Sequence, residues 1–153
     1  MTDQKYVLET LRRAGKSAAE QIQTAAQDMT GTQLYAEDGY IPEFKAASER
    51  KNMLERAVGF VCKSSAGRVV RLLQPYDSSV YPQEPEELPA QWGFVWSTDP
   101  EKALRFIALA TSPYATGDCC TEGGHVWRSK MDNNTWNPNE YPSGWEDLGE
   151  VTR

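Results

Sequence analysis

Two stretches of this 153-residue chain set their prolines and a tryptophan at one spacing. Residues 84–92 read EPEELPAQW and residues 137–145 read NPNEYPSGW, each Pro, three residues, Pro, two residues, Trp. Proline fixes φ and removes a backbone donor, so this spacing dictates a turn rather than a helix. The agreement extends upstream. Residues 57–71, AVGFVCKSSAGRVVR, and 115–128, ATGDCCTEGGHVWR, share Ala, Gly, Cys, Gly, Val and Arg in order with one gap, about 58 residues apart. Such self-similarity makes the C-terminal two-thirds of the chain two versions of one unit. Each copy reads as a strand, a turn with glycine (Ser65-Ala66-Gly67; Glu122-Gly123-Gly124) and a second strand, which is a β-hairpin. The Pro-punctuated stretch then folds back and delivers Trp92 or Trp145 onto the hairpin face. Both tryptophans read as core, because so small a module needs large aromatics to bury enough area.

The N-terminal part has a different texture. Residues 3–29 lack Pro, contain one glycine, Gly15, and are rich in helix formers. Asp3 reads as the N-cap and Thr30-Gly31 as the stop. Val7, Leu11, Ala14, Ala18, Ile22, Ala25 and Met29 recur every three or four residues and form one narrow stripe. A helix of this length is roughly 40 Å long. Its Ala-rich stripe favours self-association, with packing across its own domain as the alternative. Asp38-Gly39 marks a turn, and Pro42 suits the first position of a second helix running through Phe44 and Ala47 towards Leu54. Residues 98–104 open a helical turn capped by Thr98 or Asp99, and 106–110 (FIALA) read as a buried strand. The expected fold class is α+β: a long N-terminal α-helix followed by two small tandem antiparallel β-hairpin modules. Residues 1–32 form the helix for oligomerisation or anchoring, 33–53 a helical linker, 54–97 the first module and 98–150 the second.

Composition excludes several functions. A net charge of −6 and a pI near 4.9 argue against nucleic acid or an anionic membrane as partner. No apolar run approaches the roughly 18–20 residues of a membrane span. The N-terminus, MTDQKYVLET, lacks a basic-then-apolar export pattern, which implies synthesis in a cytoplasm. One histidine removes most Ser-His, Cys-His and His-metal chemistry. Cys119-Cys120 with His125 and Cys62 invites a zinc site, but neighbouring strand residues point to opposite faces, so no metal is expected. Cys62 and Cys120 instead occupy equivalent repeat positions and read as equivalent core residues. Glu84, Glu86, Glu87 and Glu101 resemble a glycosidase's acids only in type; in a Pro-rich loop they read as a solvated face. No catalytic residues and no cofactor are expected.

Residues 71–78 with 84–92, and 114–118 through Trp145-Glu146, resemble the small chitin-binding modules of carbohydrate-binding families 5 and 12. Those modules show an approach ending in Gly-Asp, a hairpin with glycine at its turn and a closing Pro-x-x-x-Pro-x-x-Trp. Degenerate tandem copies behind an N-terminal helix also look like small virion accessory proteins of phages and prophages. In the carbohydrate-binding families an exposed aromatic two residues before the first paired proline stacks on sugar rings. Here Trp136 holds that position before Pro138, whereas the first copy has Gln83 before Pro85, with Tyr81 nearby but out of register. The resemblance therefore implies a sugar platform in copy two only.

The residues themselves support an exposed Trp136. Polar turn formers, Asn133-Asn134 and Asn137-Pro138, flank it. An indole face can stack on the C–H face of a pyranose, Tyr141 can extend the platform, and Asn134, Asn137 and Asn139 can bond hydroxyls. The alternative is that Trp136 and Tyr141 cover the hairpin or a neighbouring subunit. The expected function is a non-catalytic phage or prophage virion accessory, tail or head-fibre, contacting glycans through exposed aromatics. Its partners would be other virion proteins and a cell-surface polysaccharide, and it would be a homo-oligomer through its N-terminal helix. The alternative is a purely structural virion subunit, such as a capsid decoration, without sugar binding. Light scattering on the full chain should give a multiple of the 17.2 kDa chain mass; a monomer defeats the oligomer expectation.

Overall fold

The computed structural model describes residues 18–152. Two compact units divide between Val95 and Trp96. Helix α1 spans Ala18–Ala25 and passes into a 3-10 turn, Ala26–Asp28. Among the described residues the expected long N-terminal helix is a short one. The chain is extended at Met29, next to the expected stop at Thr30-Gly31, and Thr30 itself starts another helix: its side chain accepts from Gln33 N while Gln33 Oε1 accepts from Thr30 N, a capping box for α2, Gly31–Ala36. Asp3, Val7, Leu11 and Ala14 lie outside the described residues. Of the stripe, Ile22 and Met29 are buried within this chain.

The expected second helix also shifts. Pro42 and Glu43 run extended, with Pro42 O accepting from Lys63 N at 2.9 Å, so α3 covers only Phe44–Arg50. Asn52 then caps a separate 3-10 turn, Met53–Glu55.

Neither module is a bare hairpin. In the first unit β1 (Val61–Lys63), β2 (Val69–Leu72) and β3 (Trp92–Phe94) form an antiparallel sheet in that order. In the second, β4 (Leu104–Arg105) runs parallel to β5 (Cys119–Glu122), and β6 (His125–Ser129) and β7 (Trp145–Glu150) complete a four-stranded sheet. The expected strand over 106–110 is replaced by β4, two residues earlier. The tryptophans do not fold down onto a hairpin; each opens a third strand. With its hydrogen-bonded edge taken by that strand, each hairpin gains the extra partner it needs for stability.

The repeat is real at the level of register. Cys62 lies opposite Val70 as Cys120 lies opposite Trp127, and Leu72 opposite Trp92 as Ser129 opposite Trp145. Gly59 N donates to Leu72 O at 2.8 Å, and Gly117 N to Ser129 O at 2.9 Å. The correspondence reaches beyond the stretch legible in sequence. Glu43 bridges Lys63 in parallel as Arg105 pairs with Thr121. The next residues, Phe44 and Phe106, meet Trp92 and Trp145 edge-on, with centroids 5.8 and 6.1 Å apart and planes at 87° and 86°.

The two units fill this common frame differently. In the first, the Gln23 amide of α1 grips the free edge of β1, donating to Val61 O at 2.7 Å and accepting from Val61 N at 2.9 Å. Arg71 of β2 donates to Ala26 O and Met29 O. Trp92 is fully buried and donates to Tyr76 Oη at 3.0 Å. A residue so enclosed contributes about 3–5 kcal/mol relative to alanine. The second unit has no α-helix among its described residues. Aromatics take the helices' place: Trp96 stacks on Tyr114 at 4.3 Å, Phe106 stacks on the same tyrosine at 5.5 Å, and Trp145 meets it edge-on at 5.4 Å. No helix among the described residues is long and apolar enough to cross a membrane.

Gly59 and Gly117 hold φ of +93° and +96°, a region that favours glycine. Replacing either by alanine should lower stability by about 1–3 kcal/mol, read from urea unfolding. Full stability in one of the two variants would show that the duplicated turn no longer constrains that copy.

Candidate functional site

The loop between β6 and β7 carries all five sequence-proposed contact residues, and the structure divides them. Asn133 takes a left-handed conformation, φ 55°, which asparagine tolerates better than most side chains. Asn134 is fully buried. Its backbone exchanges two bonds with Tyr114, its amide donates to Ser129 Oγ at 3.0 Å and Gly144 O at 3.2 Å, and its Oδ1 accepts from Trp136 N at 3.1 Å. Asn134 is therefore a fastening for the loop and offers nothing to a sugar.

Trp136 follows with its backbone held on both sides. Its N–H goes to Asn134, and its carbonyl accepts from the buried Trp145 indole at 2.8 Å. Its ring points outward, 54% exposed. Tyr141 is 42% exposed, and the two ring centroids lie 5.8 Å apart with planes at 54°. Trp136 and Tyr141 are thus brought together as an open aromatic pair.

Asn137 lies between them in the chain and is largely committed. Its amide donates to Glu122 Oε2 at 2.8 Å, and its Oδ1 accepts from Asn139 N at 2.8 Å. It ties the loop to the hairpin tip, where Gly123 and Gly124 take φ of 60° and 81° as a mirror-image two-residue turn requires. Asn139, exposed beside that tip, makes no side-chain hydrogen bond among the described residues.

The first copy uses its loop in the same way with different chemistry. Glu84 Oε1 accepts from Ser65 N at 2.8 Å, and Glu86 Oε2 accepts from Ser64 Oγ at 2.6 Å and Arg68 Nη1 at 2.9 Å. The expected solvated acidic face is corrected here: Glu86 is a largely buried partner of Arg68, placed there because the hairpin tip needs acceptors. Gln83, the counterpart of Trp136, is exposed, and Tyr81 is 52% exposed.

Gly144 and Met131 were not singled out in the sequence. A side chain at Gly144 would lie 3.0 Å from Tyr141 Cδ2, 3.1 Å from Cε2 and 3.2 Å from Met131 Sδ. The Tyr141 ring therefore lies close against the backbone, and a side chain at Gly144 would push it or Met131 outward by a few tenths of an ångström. The signal was present in the repeat: the pair Tyr141 and Gly144 replaces Leu88 and Gln91 of the first copy.

The remaining titratable groups are structural. Burial pushes the thiols of Cys62, Cys119 and Cys120 up, so they are protonated at neutral pH, and all three are free. Cys62 and Cys120 are fully enclosed at matching positions. Among the described residues no group of three His, Cys, Asp or Glu side chains is placed to hold a metal. Burial raises the Asp118 carboxyl, which accepts from Ala115 N, while hydrogen bonds from Thr116 lower Asp132. In the first unit a groove of about 690 Å³ runs between α3 and Phe60, with Arg56 stacked 4.4 Å above that ring. One wall is Glu20, next to the undescribed residues.

No protein-family model, curated protein or solved structure matches this chain.

His125 sits 2.9 Å from Asp147 across β6 and β7, and that hydrogen bond raises the imidazole above its usual value of about 6.5. A raised folded value means the pair stabilises fully below about pH 6.5 and that this is lost as pH rises through the folded value. NMR titration of this single histidine should give a midpoint above 6.5, returning towards it in Asp147→Asn.

Proposed function

We propose that this chain is a non-catalytic accessory of a phage or prophage particle whose second unit holds a glycan against Trp136 and Tyr141. The observation that carries the reading is an indole more than half exposed on a backbone fixed at both ends by buried residues. A loop that merely tolerated Trp136 would have no need of such fastening. Exposed apolar area forgoes about 25 cal/mol per Å² of burial, and a paired, immobilised aromatic surface is of use chiefly to something that covers it. A pyranose suits it: the C–H face stacks on the ring, and the Asn139 amide is free for a hydroxyl. The particle setting is supported by the resemblance of tandem modules behind a helix to virion accessories, and tail or capsid genes beside the coding sequence would bear it out.

One stacked site yields millimolar to micromolar affinity, on the order of −4 to −8 kcal/mol. Many copies on one assembly supply the avidity. The full-length protein, displayed as a multimer on a glycan array, should bind one class of polysaccharide and lose that binding on Trp136→Ala with an unchanged unfolding midpoint. Silence on every glycan would leave the structural reading, in which the aromatic pair packs against another virion subunit.

A further inference from the structure

We infer that Trp136 and Tyr141 form an inclined notch that grips a single, uncharged or amino-bearing glycan chain, and that they do not lie flat on a crystalline polysaccharide. This rests on the glycan-binding reading above. A crystal face presents its sugar rings in one plane, so a protein that binds it needs its aromatic rings coplanar. Here the two planes meet at 54° with centroids 5.8 Å apart. When one ring lies on a plane, the other is inclined to it by 54° and cannot lie flat. A lone chain has no such restriction, because it can offer a ring face to one aromatic and a ring edge or substituent to the other.

The tilt is built in. Asn134 and the Trp145 indole fix the Trp136 backbone before and after its ring. Tyr141 N donates to Asn137 O at 2.9 Å, and its ring lies against Gly144 with Met131 beside it. Turning the Tyr141 ring into the plane of Trp136 would lift it off this support. The geometry is therefore preorganised for the notch, which reduces the ordering cost of binding.

Charge narrows the ligand class further. Residues 96–153 carry nine acidic and five basic side chains, a net of −4. Glu140 adjoins Tyr141 in the chain, and Glu122 holds Asn137, which follows Trp136. A uronic-acid or sulfated chain meets repulsion at this surface, and an amino sugar meets attraction.

The test compares single chains with flat faces, using the full-length protein as a multimer. One arm is an array of immobilised oligosaccharides that includes neutral, amino-bearing and anionic chains. The other is depletion by microcrystalline cellulose and chitin. The expected result is array binding to neutral or amino-bearing chains, no crystal depletion beyond that of Trp136→Ala, and a loss of about tenfold or more on Tyr141→Ala with its unfolding midpoint retained. Depletion by crystals that Trp136→Ala abolishes, equal binding of anionic chains, or full array binding by Tyr141→Ala would each overturn the notch while leaving glycan binding standing. Silence in both arms would bring down the glycan reading itself.

Discussion

The Trp145 indole N–H donates to the carbonyl of Trp136 across 2.8 Å, and the display of the aromatic pair depends on that bond. Trp145 belongs to the core, edge-on to Phe106 and Tyr114, and it opens the strand that completes the sheet. One side chain thus connects the interior to the loop that carries an exposed ring. A buried indole N–H needs an acceptor, and here the acceptor is the backbone of the residue on display. In the first unit Trp92 meets the same need through the Tyr76 hydroxyl, and no aromatic stands at the corresponding loop position.

The duplication therefore preserves a frame and lets its coverings vary. Register, glycine turns, the parallel approach strand and the Phe–Trp contact are common to both units. The coverings are not: α1 closes the edge of β1 with a glutamine side chain, whereas Cys119 N of β5 donates to Ser97 O at 2.8 Å. The equivalent arginines diverge as well. Arg71 binds the carbonyls at the end of α1, while Arg128 faces the exposed Glu146 at 3.5 Å. Such an exposed pair adds little to stability.

Legibility in the sequence followed locality. The two copies, their hairpins, the enclosed Cys62 and Cys120 and the exposed Trp136 were readable because turn residues and spacing act over a few positions. The third strands were not, since nothing local says that Trp92 will pair with Leu72. The end of the first helix is legible to within a residue, because Thr30 has the side chain to cap the helix that follows and the chain is extended at Met29 just before it. Asn134 reads as a sugar contact by its polarity, yet a polar loop side chain beside a buried serine and a backbone carbonyl is taken up by them. The acidic loop residues misled in the same way, because Arg68 lies eighteen residues before Glu86 and only the fold brings them together.

Gly144 separates two tasks. It has no side chain of its own to contribute, yet its carbonyl receives both the Asn134 amide and Lys130 N, and its bare Cα lets the Tyr141 ring settle. Folding determinants and surface chemistry meet at this position, as they do at the Trp136 backbone. A gene copy of such a unit is free to exchange what it presents to its surroundings while its backbone stays put, which is the condition under which doubling a small domain can produce one partner for support and another for contact.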